Sequence, residues 1–355
     1  MADIAPRDLD RITMRFARAP SGARLAWARH GAGPPLVRVA HWLTHVEREP
    51  RSAVWRPWLA RYGRRFSLVR YDECGYGMSD QVGSAADPER AVDDLAAVIE
   101  ATGEQRVALL GISGAAPIAI TYAARNPQRV SHLVLLGGYL CGLFRRDASA
   151  EALAYFEAQL QLMEQGWGRS HPAVQQFFTS TLAPDASPDM AQAFNELQRL
   201  ACDGRQAAQF MRLRASLDVR GLAPSIACPC LVLHAEGDLV VEHAFGRELA
   251  AAIPGARFQT LPGRNHVPLA GDAAFERCFA AMEDFILGAS ADVHLTPREL
   301  ELAALVAAGL DNAQIGARMA WADKTVRNSL SALYAKLGVE GRPQAIVRTR
   351  DLGLG

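Results

Sequence analysis

One stretch limits what this chain can fold into more than any other: Val107-Ala-Leu-Leu-Gly-Ile-Ser113-Gly-Ala-Ala-Pro117. Its first half, from Arg106 to Ile112, is nearly continuous in aliphatic residues. A strand covered on both faces needs that composition. The run stops at a serine and turns into a helix that starts near Gly114. A sharp strand-to-helix turn strains the residue at its apex and crowds the residues two before and two after it. Both must be small, and here they are Gly111 and Ala115. The free N–H groups at the start of the helix would point at the serine oxygen and favour negative charge there. The stretch therefore predicts a buried strand, a tight turn bearing Ser113, and a helix.

The chain has 355 residues, half of them apolar, which suits about two domains with a sizeable core. Its 38 basic and 38 acidic residues cancel, so no overall charge draws it to nucleic acid or membrane. Six cysteines are scattered, with no C-x-x-C pair, and Cys228-Pro-Cys230 is too close for an ordinary zinc pair. They read as small buried side chains of a reducing compartment, and no metal or cofactor is expected. The N-terminus carries Asp3, Asp8 and Asp10 and lacks the apolar core of a signal peptide. No apolar run is long enough to cross a bilayer. A cytoplasmic protein is expected.

Along the chain, strand signals alternate with helical ones. Strands are expected over Ile12 to Ala19, Arg24 to His30, Leu36 to Ala40 and Phe66 to Tyr71. A helix is expected from Ser52 to Tyr62, and another opens at Asp87-Pro88-Glu89, with proline where its missing N–H costs nothing. A further strand follows the serine-bearing turn at His132 to Leu136. Such alternation predicts a parallel sheet with helices on both faces. Between about 139 and 223 the strand signals vanish and helices take over, rich in aromatic residues. That insertion predicts a helical cap. Its rings could roof a pocket or simply glue the cap to the sheet. Cys230 to His234 and Arg257 to Leu261 then resume the sheet, with helices over Glu242 to Ala252 and Asp272 to Leu287.

Ser113, Asp238 and His266 each fall just beyond the C-terminal end of a strand, the edge where open α/β sheets place their sites. A serine hydroxyl is a poor nucleophile until a base takes its proton, and a histidine base needs a carboxylate to fix its tautomer. Residues from about 20 to 287 resemble the α/β-hydrolase fold. The resemblance is carried by Tyr71-Asp72 with Gly75-Tyr-Gly-Met-Ser-Asp80, by the turn at Gly111, and by Tyr122-Ala-Ala-Arg-Asn-Pro127 with Leu133-Val-Leu-Leu136. Leu231-Val-Leu-His-Ala-Glu-Gly-Asp238 and Gly263-Arg-Asn-His266 continue it. It implies a nucleophile at Ser113, a general base at His266 and an orienting acid at Asp238. It also implies an oxyanion hole from the backbone N–H groups of Gly114 and Trp42. The usual His-Gly of that loop is Ala40-His41 here, a bulky departure where glycine is normal. A ligand pocket is expected from His41, Trp42, Phe144, Trp167 and Phe178.

The last part of the chain is purely helical. Thr296-Pro-Arg-Glu299 forms a capping box for a helix that stops at Gly309. Asp311-Asn-Ala-Gln314 opens a second, shorter helix, and a third spans about Asp323 to Leu337. Val326, Leu330, Leu333 and Leu337 give that helix one buried stripe. Lys324, Thr325, Arg327 and Asn328 are left at its exposed front end, the plan of a helix-turn-helix. A fourth helix is expected from Arg342 to Asp351. The stretch from 294 to 355 resembles the LuxR-type DNA-binding domain through Leu295-Thr-Pro-Arg-Glu-Leu-Glu301, Lys324-Thr-Val-Arg-Asn328, Lys336-Leu-Gly-Val339 and Arg342-Pro-Gln-Ala345. The resemblance implies that Lys324, Thr325, Arg327 and Asn328 meet double-stranded DNA, and that the fourth helix pairs two chains on promoter half-sites. Ala322 stands where the family usually has a capping serine, and Ser329 replaces the commoner histidine.

The expected architecture is an α/β-hydrolase fold with a helical cap over residues 1–287, a linker at 288–293, and an all-α four-helix domain of the LuxR helix-turn-helix type over 294–355. Together the resemblances imply a DNA-binding transcriptional regulator, acting as a homodimer. Its hydrolase-like domain would sense a small apolar ester, lactone or acyl compound. The same residues also suit an active serine esterase that carries a regulatory DNA-binding domain and degrades its own signal. The two readings part at Ser113.

Overall fold

The computed structural model describes residues 9, 12–81, 87–167, 179–288, 295–337, 339 and 341–351. The chain divides into two compact units, Met1–Met282 and Glu283–Gly355. The first unit is built on an eight-stranded sheet. Its strands are β1 (Met14–Arg18), β2 (Arg24–His30), β3 (Pro35–Arg38), β4 (Ser67–Tyr71), β5 (Val107–Ile112), β6 (Val130–Leu136), β7 (Cys230–Ala235) and β8 (Arg257–Leu261), in the spatial order β1-β2-β4-β3-β5-β6-β7-β8. β2 is antiparallel to both of its neighbours, and β3 to β8 run parallel. Every residue of β4, β5 and β7 is buried, as strands covered on both faces require.

The helices that clothe the sheet are α1 (Trp55–Gly63), α2 (Pro88–Thr102) and α3 (Ala116–Arg125). Asp87 caps α2 by accepting from the Glu89 N–H, and Pro88 follows at the first turn. The helical insertion supplies α4 (Ala150–Gly166), α5 (Pro188–Ala201) and α6 (Gly204–Ser216). α6 opens with a capping box between Asp203 and Gln206 that the sequence reading did not foresee. Residues 168–178 of the expected helical insertion lie outside the described residues. α7 (His243–Ala252) and α8 (Ala273–Leu287) complete the sequence of helices up to the second unit. The helices of the insertion have their own apolar cluster, in which Phe156, Leu160, Met163, Trp167 and Phe210 pack with Leu43 and Tyr76 from the sheet loops. All six cysteines are buried and unpaired, in keeping with their small apolar character.

The second unit contains α9 (Pro297–Ala307), α10 (Asn312–Met319), α11 (Asp323–Leu337) and α12 (Arg342–Asp351). α9 and α10 each start with a capping box, Thr296 with Glu299 and Asp311 with Gln314. A compact core forms from Leu302, Val306, Ile315, Val326, Leu330 and Leu333 with their neighbours. The linker expected at 288–293 falls, beyond Gly288, outside the described residues. Among the described residues no helix is long and apolar enough to cross a membrane.

Candidate active site and nucleic-acid interface

Ser113 sits at φ 55, the left-handed region that a non-glycine residue adopts only where the surroundings enforce it. Enforcement comes from both sides of the turn. A Cβ on Gly111 would approach the Ala116 Cα to 2.9 Å, so the strand can meet the helix only without a side chain there. The helix does not begin at Gly114: Ser113–Ala115 form one short 3-10 turn, and α3 starts at Ala116. Ser113 itself is half-buried, at the edge where β5 ends.

Asp238 and His266 meet directly. His266 Nδ1 lies 2.6 Å from Asp238 Oδ2. The other carboxylate oxygen accepts from the backbone N–H groups of Val240 at 2.8 Å and Val241 at 3.0 Å. His234, one turn of chain earlier on β7, adds a second imidazole, its Nε2 3.3 Å from Asp238 Oδ2. Burial alone would raise the Asp238 carboxyl. The charge on His266 and the hydrogen bonds from His234, His266 and Val241 outweigh it and hold the group well below the usual carboxylate range. Asp238 therefore stays an anion, which fixes His266 with its proton on Nδ1. His266 Nε2 is then the free face of the ring, buried and without a hydrogen-bond partner among the described residues.

The Gly137-Gly138 step after β6 ties this pair to the serine turn. A Cβ on Gly137, at φ 60, would come within 2.8 Å of His266 Cε1. A Cβ on Gly138 would come within 2.5 Å of the Ala116 Cβ and 3.9 Å of the Ser113 carbonyl oxygen. Two adjacent residues thus touch the histidine ring and the turn. The histidine loop is pinned from the insertion: the His266 N–H donates to Leu182 O at 2.9 Å, and Arg264 pairs with Asp185 at 2.6 Å.

The loop after β3 carries the bulky residues that depart from glycine. Among the described residues no carbonyl accepts the Trp42 N–H. The Trp42 indole turns toward the insertion, where its Nε1 donates to Gln198 at 2.7 Å and its ring meets Trp167 and Phe210 edge-on. The next residue, Leu43, is held at φ 48. His41 is buried against Trp55, and burial pushes its imidazole down to about 3, so it is neutral. A buried ion trio holds this loop from below: Arg38 reaches Glu49 at 2.5 Å, Arg70 reaches the same carboxylate at 3.0 Å, and Arg70 also donates to Val46 O at 2.6 Å.

The rings expected to line a pocket are dispersed. Trp167 is buried in the cluster of the insertion, its Nε1 donating to Cys202 O. Phe144 is 40% exposed and lies edge-on to Phe156, which suits a rim rather than a wall. Phe178 lies outside the described residues. Sequence reasoning missed two charged residues beside the turn. Arg214, on α6, and Glu73, in the loop after β4, form a buried pair at 2.5 Å. It also missed the second imidazole at Asp238. No cluster of residues among those described could hold a metal ion.

In the second unit, Lys324, Thr325, Arg327 and Asn328 are all exposed on the first turns of α11, while Val326 and Leu330 are buried beneath them. Asp323 pairs with Arg327 at 2.8 Å across one turn of the helix. α10 ends at Ala320 in the left-handed conformation, which makes the turn into α11. The second unit has the helix order of a helix-turn-helix, with a polar, partly basic front on the third helix.

The sheet, the strained serine and the acid–histidine pair define the first unit as an α/β-hydrolase. The family model described as serine aminopeptidase S33 matches residues 58–271, and the chain belongs to that family. The model of the LuxR family of bacterial regulatory proteins matches residues 293–349, so the hydrolase domain is joined to a LuxR-type DNA-binding domain. The chain is 25% identical to a pimeloyl-[acyl-carrier protein] methyl ester esterase of Nitrosomonas europaea, over 71% of this chain and 96% of that protein. It is 27% identical to a putative carbamate hydrolase RutD of Klebsiella pneumoniae, over 61% of this chain and 81% of that protein. An esterase structure from Exiguobacterium antarcticum superposes with a TM-score of 0.67 at 21% identity, covering 78% of this chain and all (100%) of that one. A hydrolase structure from Pseudomonas aeruginosa gives 0.62 at 24% identity, covering 78% and 99%. At these identities the two structures show the fold alone.

Proposed function

We propose that the protein is a transcriptional regulator whose hydrolase-type domain binds a small acyl compound, ester or lactone at Ser113, and whose helix-turn-helix domain binds promoter DNA as a homodimer. The observation that carries this reading is the presence, on one chain, of a formed acid–histidine pair beside a strained serine and of an exposed Lys324-Thr325-Arg327-Asn328 front. Ligand binding would favour one arrangement of the two domains over another and so change DNA affinity. In this reading the backbone N–H groups of Gly114 and Trp42 hold the ligand carbonyl beside Ser113, and the aromatic side chains of the cap hold its apolar part. The protein would act in the cytoplasm.

A second reading is favoured by the His266–Asp238 geometry and by the esterases among its relatives. In it, His266 Nε2 takes the Ser113 proton as the serine attacks the ester carbonyl. The resulting oxyanion is held by Gly114 and Trp42 and collapses as His266 gives that proton to the departing alcohol oxygen. Water, losing a proton to His266, then attacks the acyl-serine, and Ser113 takes the proton back as the acid leaves. Ser113→Ala separates the two. If the domain only senses, the variant keeps ligand-dependent control of a reporter promoter, and the wild type releases no chromophore from a chromogenic ester. If it hydrolyses, the wild type turns the ester over and is labelled by a serine-directed phosphonate, and the variant does neither.

A further inference from the structure

Beside the serine turn, Arg214 is a buried cation whose hydrogen bonding is incomplete among the described residues. Its side chain is only 4% exposed. Its stem lies on the turn: a Cβ on Gly114 would stand 2.9 Å from Arg214 Cγ and 3.0 Å from Cδ. Its guanidinium carbon lies 4.4 Å from the centre of the Phe210 ring, and Phe210 in turn meets Trp42 at 5.5 Å. Both residues proposed to hold the ligand carbonyl are therefore one side chain from this cation. Nη2 is used on Glu73. Nε and Nη1 are buried and have no partner among the described residues. A buried donor left unsatisfied is costly, and more so on a charged group. Arg38 and Arg70 also keep unpartnered donors in the core, but Arg214 keeps its two against the serine turn, where acceptors can arrive with a ligand.

We infer that Arg214 recognises the ligand, and that this ligand carries a second, uncharged oxygen acceptor, such as a keto, hydroxyl or amide oxygen, close to its ester or lactone carbonyl. The inference rests on the reading of the Ser113 site as a small-molecule site and deepens it. The acceptor is uncharged because Glu73 already balances Arg214. A carboxylate placed on Arg214 would face that buried anion across the guanidinium, and like charges in a low-dielectric site repel strongly. A keto or amide oxygen takes a charge-assisted hydrogen bond without adding a charge.

The test uses the full-length chain carrying Ser113→Ala, so that no ester is consumed, and measures dissociation constants by titration calorimetry. Three esters of matched size are compared: methyl butyrate, methyl acetoacetate and monomethyl succinate. Methyl acetoacetate should bind roughly tenfold more tightly than methyl butyrate, as for one added hydrogen bond to a charged donor. Monomethyl succinate should bind no better than methyl butyrate. Replacing the ion pair in a further variant, Arg214→Met with Glu73→Met, exchanges buried charges for apolar groups of similar volume, which folds tolerate well. It should erase the preference for acetoacetate and keep the affinity for butyrate. Arg214→Lys, which keeps a cation for Glu73, should lose most of the preference too. Equal affinity for butyrate and acetoacetate, survival of the preference in the double variant, or tightest binding of monomethyl succinate would each overturn the inference and leave the small-molecule site standing. If none of the three esters binds, the small-molecule reading itself fails, and the inference with it.

Discussion

Glu49 shows how much the functional loop depends on single buried charges. Arg38 and Arg70 are register partners on adjacent parallel strands, so two cations stand side by side in the core. Glu49 pairs with both, and Arg70 Nη1 also donates to the Val46 carbonyl of the loop that carries Trp42. Glu49→Gln would leave both buried cations without their shared counter-charge. It should cost about 3–5 kcal/mol of unfolding free energy, read from urea denaturation. A loss below about 1 kcal/mol would mean that water reaches the trio. Asp94 makes the opposite case. It is fully buried, one oxygen accepts from the Cys74 N–H, and the other has no partner among the described residues. Burial pushes its carboxyl up to about 7. In the unfolded chain it ionises near pH 4, roughly the free aspartate value. The folded state holds the extra proton between those values, so this group's contribution is full below about pH 4 and is lost as pH rises through about 7. Asp94→Asn removes the titration. The melting temperature of the variant relative to wild type should therefore be higher at about pH 8 than at about pH 4. A difference independent of pH would contradict the assignment.

At the scale of elements, α11 separates core from contact surface with little ambiguity. Val326, Leu330, Leu333 and Leu337 are buried, and the intervening Lys324, Thr325, Arg327 and Asn328 are exposed. Lys324→Ala should weaken DNA binding across sequences and flatten its salt dependence by about one counterion. Arg327→Ala should cost more on the specific site than on random DNA if Arg327 leaves Asp323 to meet a base. Gel shifts with both variants check this, and unchanged affinity in both would remove the assignment. This helix was readable in advance because its apolar residues recur at three and four and give one buried stripe. β2, β8 and α12 were readable too, and their observed limits coincide with those expected. Ser113, Asp238 and His266 were legible because each closes a strand with a small-residue or turn signature. Arg214 and Glu73 were not, because a charged residue on an apolar helix face reads as surface until its neighbours are known. The signal was there: Ala207, Phe210 and Arg214 share one face of α6 at spacings of three and four. His234 was equally available, four residues before Asp238 on a fully buried strand.

At the scale of the molecule, the proposed function couples a ligand site in one compact unit to a DNA-reading helix in another. Such coupling is a free energy shared by the two equilibria, so the ligand must alter DNA affinity by the factor with which DNA alters ligand affinity. The hydrolase family model matches residues 58–271, and the LuxR-family match is confined to residues 293–349. What one chain gains from carrying both is the chance for occupancy at Ser113 to bias the position of α11. The measurement that tests this most directly is the affinity of the full-length chain for the DNA upstream of its own coding region. It is taken with and without a saturating small acyl ester that raises the melting temperature. Coupling of the two sites requires a change of about fivefold or more, together with the same factor in ester affinity when DNA is saturating. An ester that binds the hydrolase domain and leaves DNA affinity unchanged would contradict it.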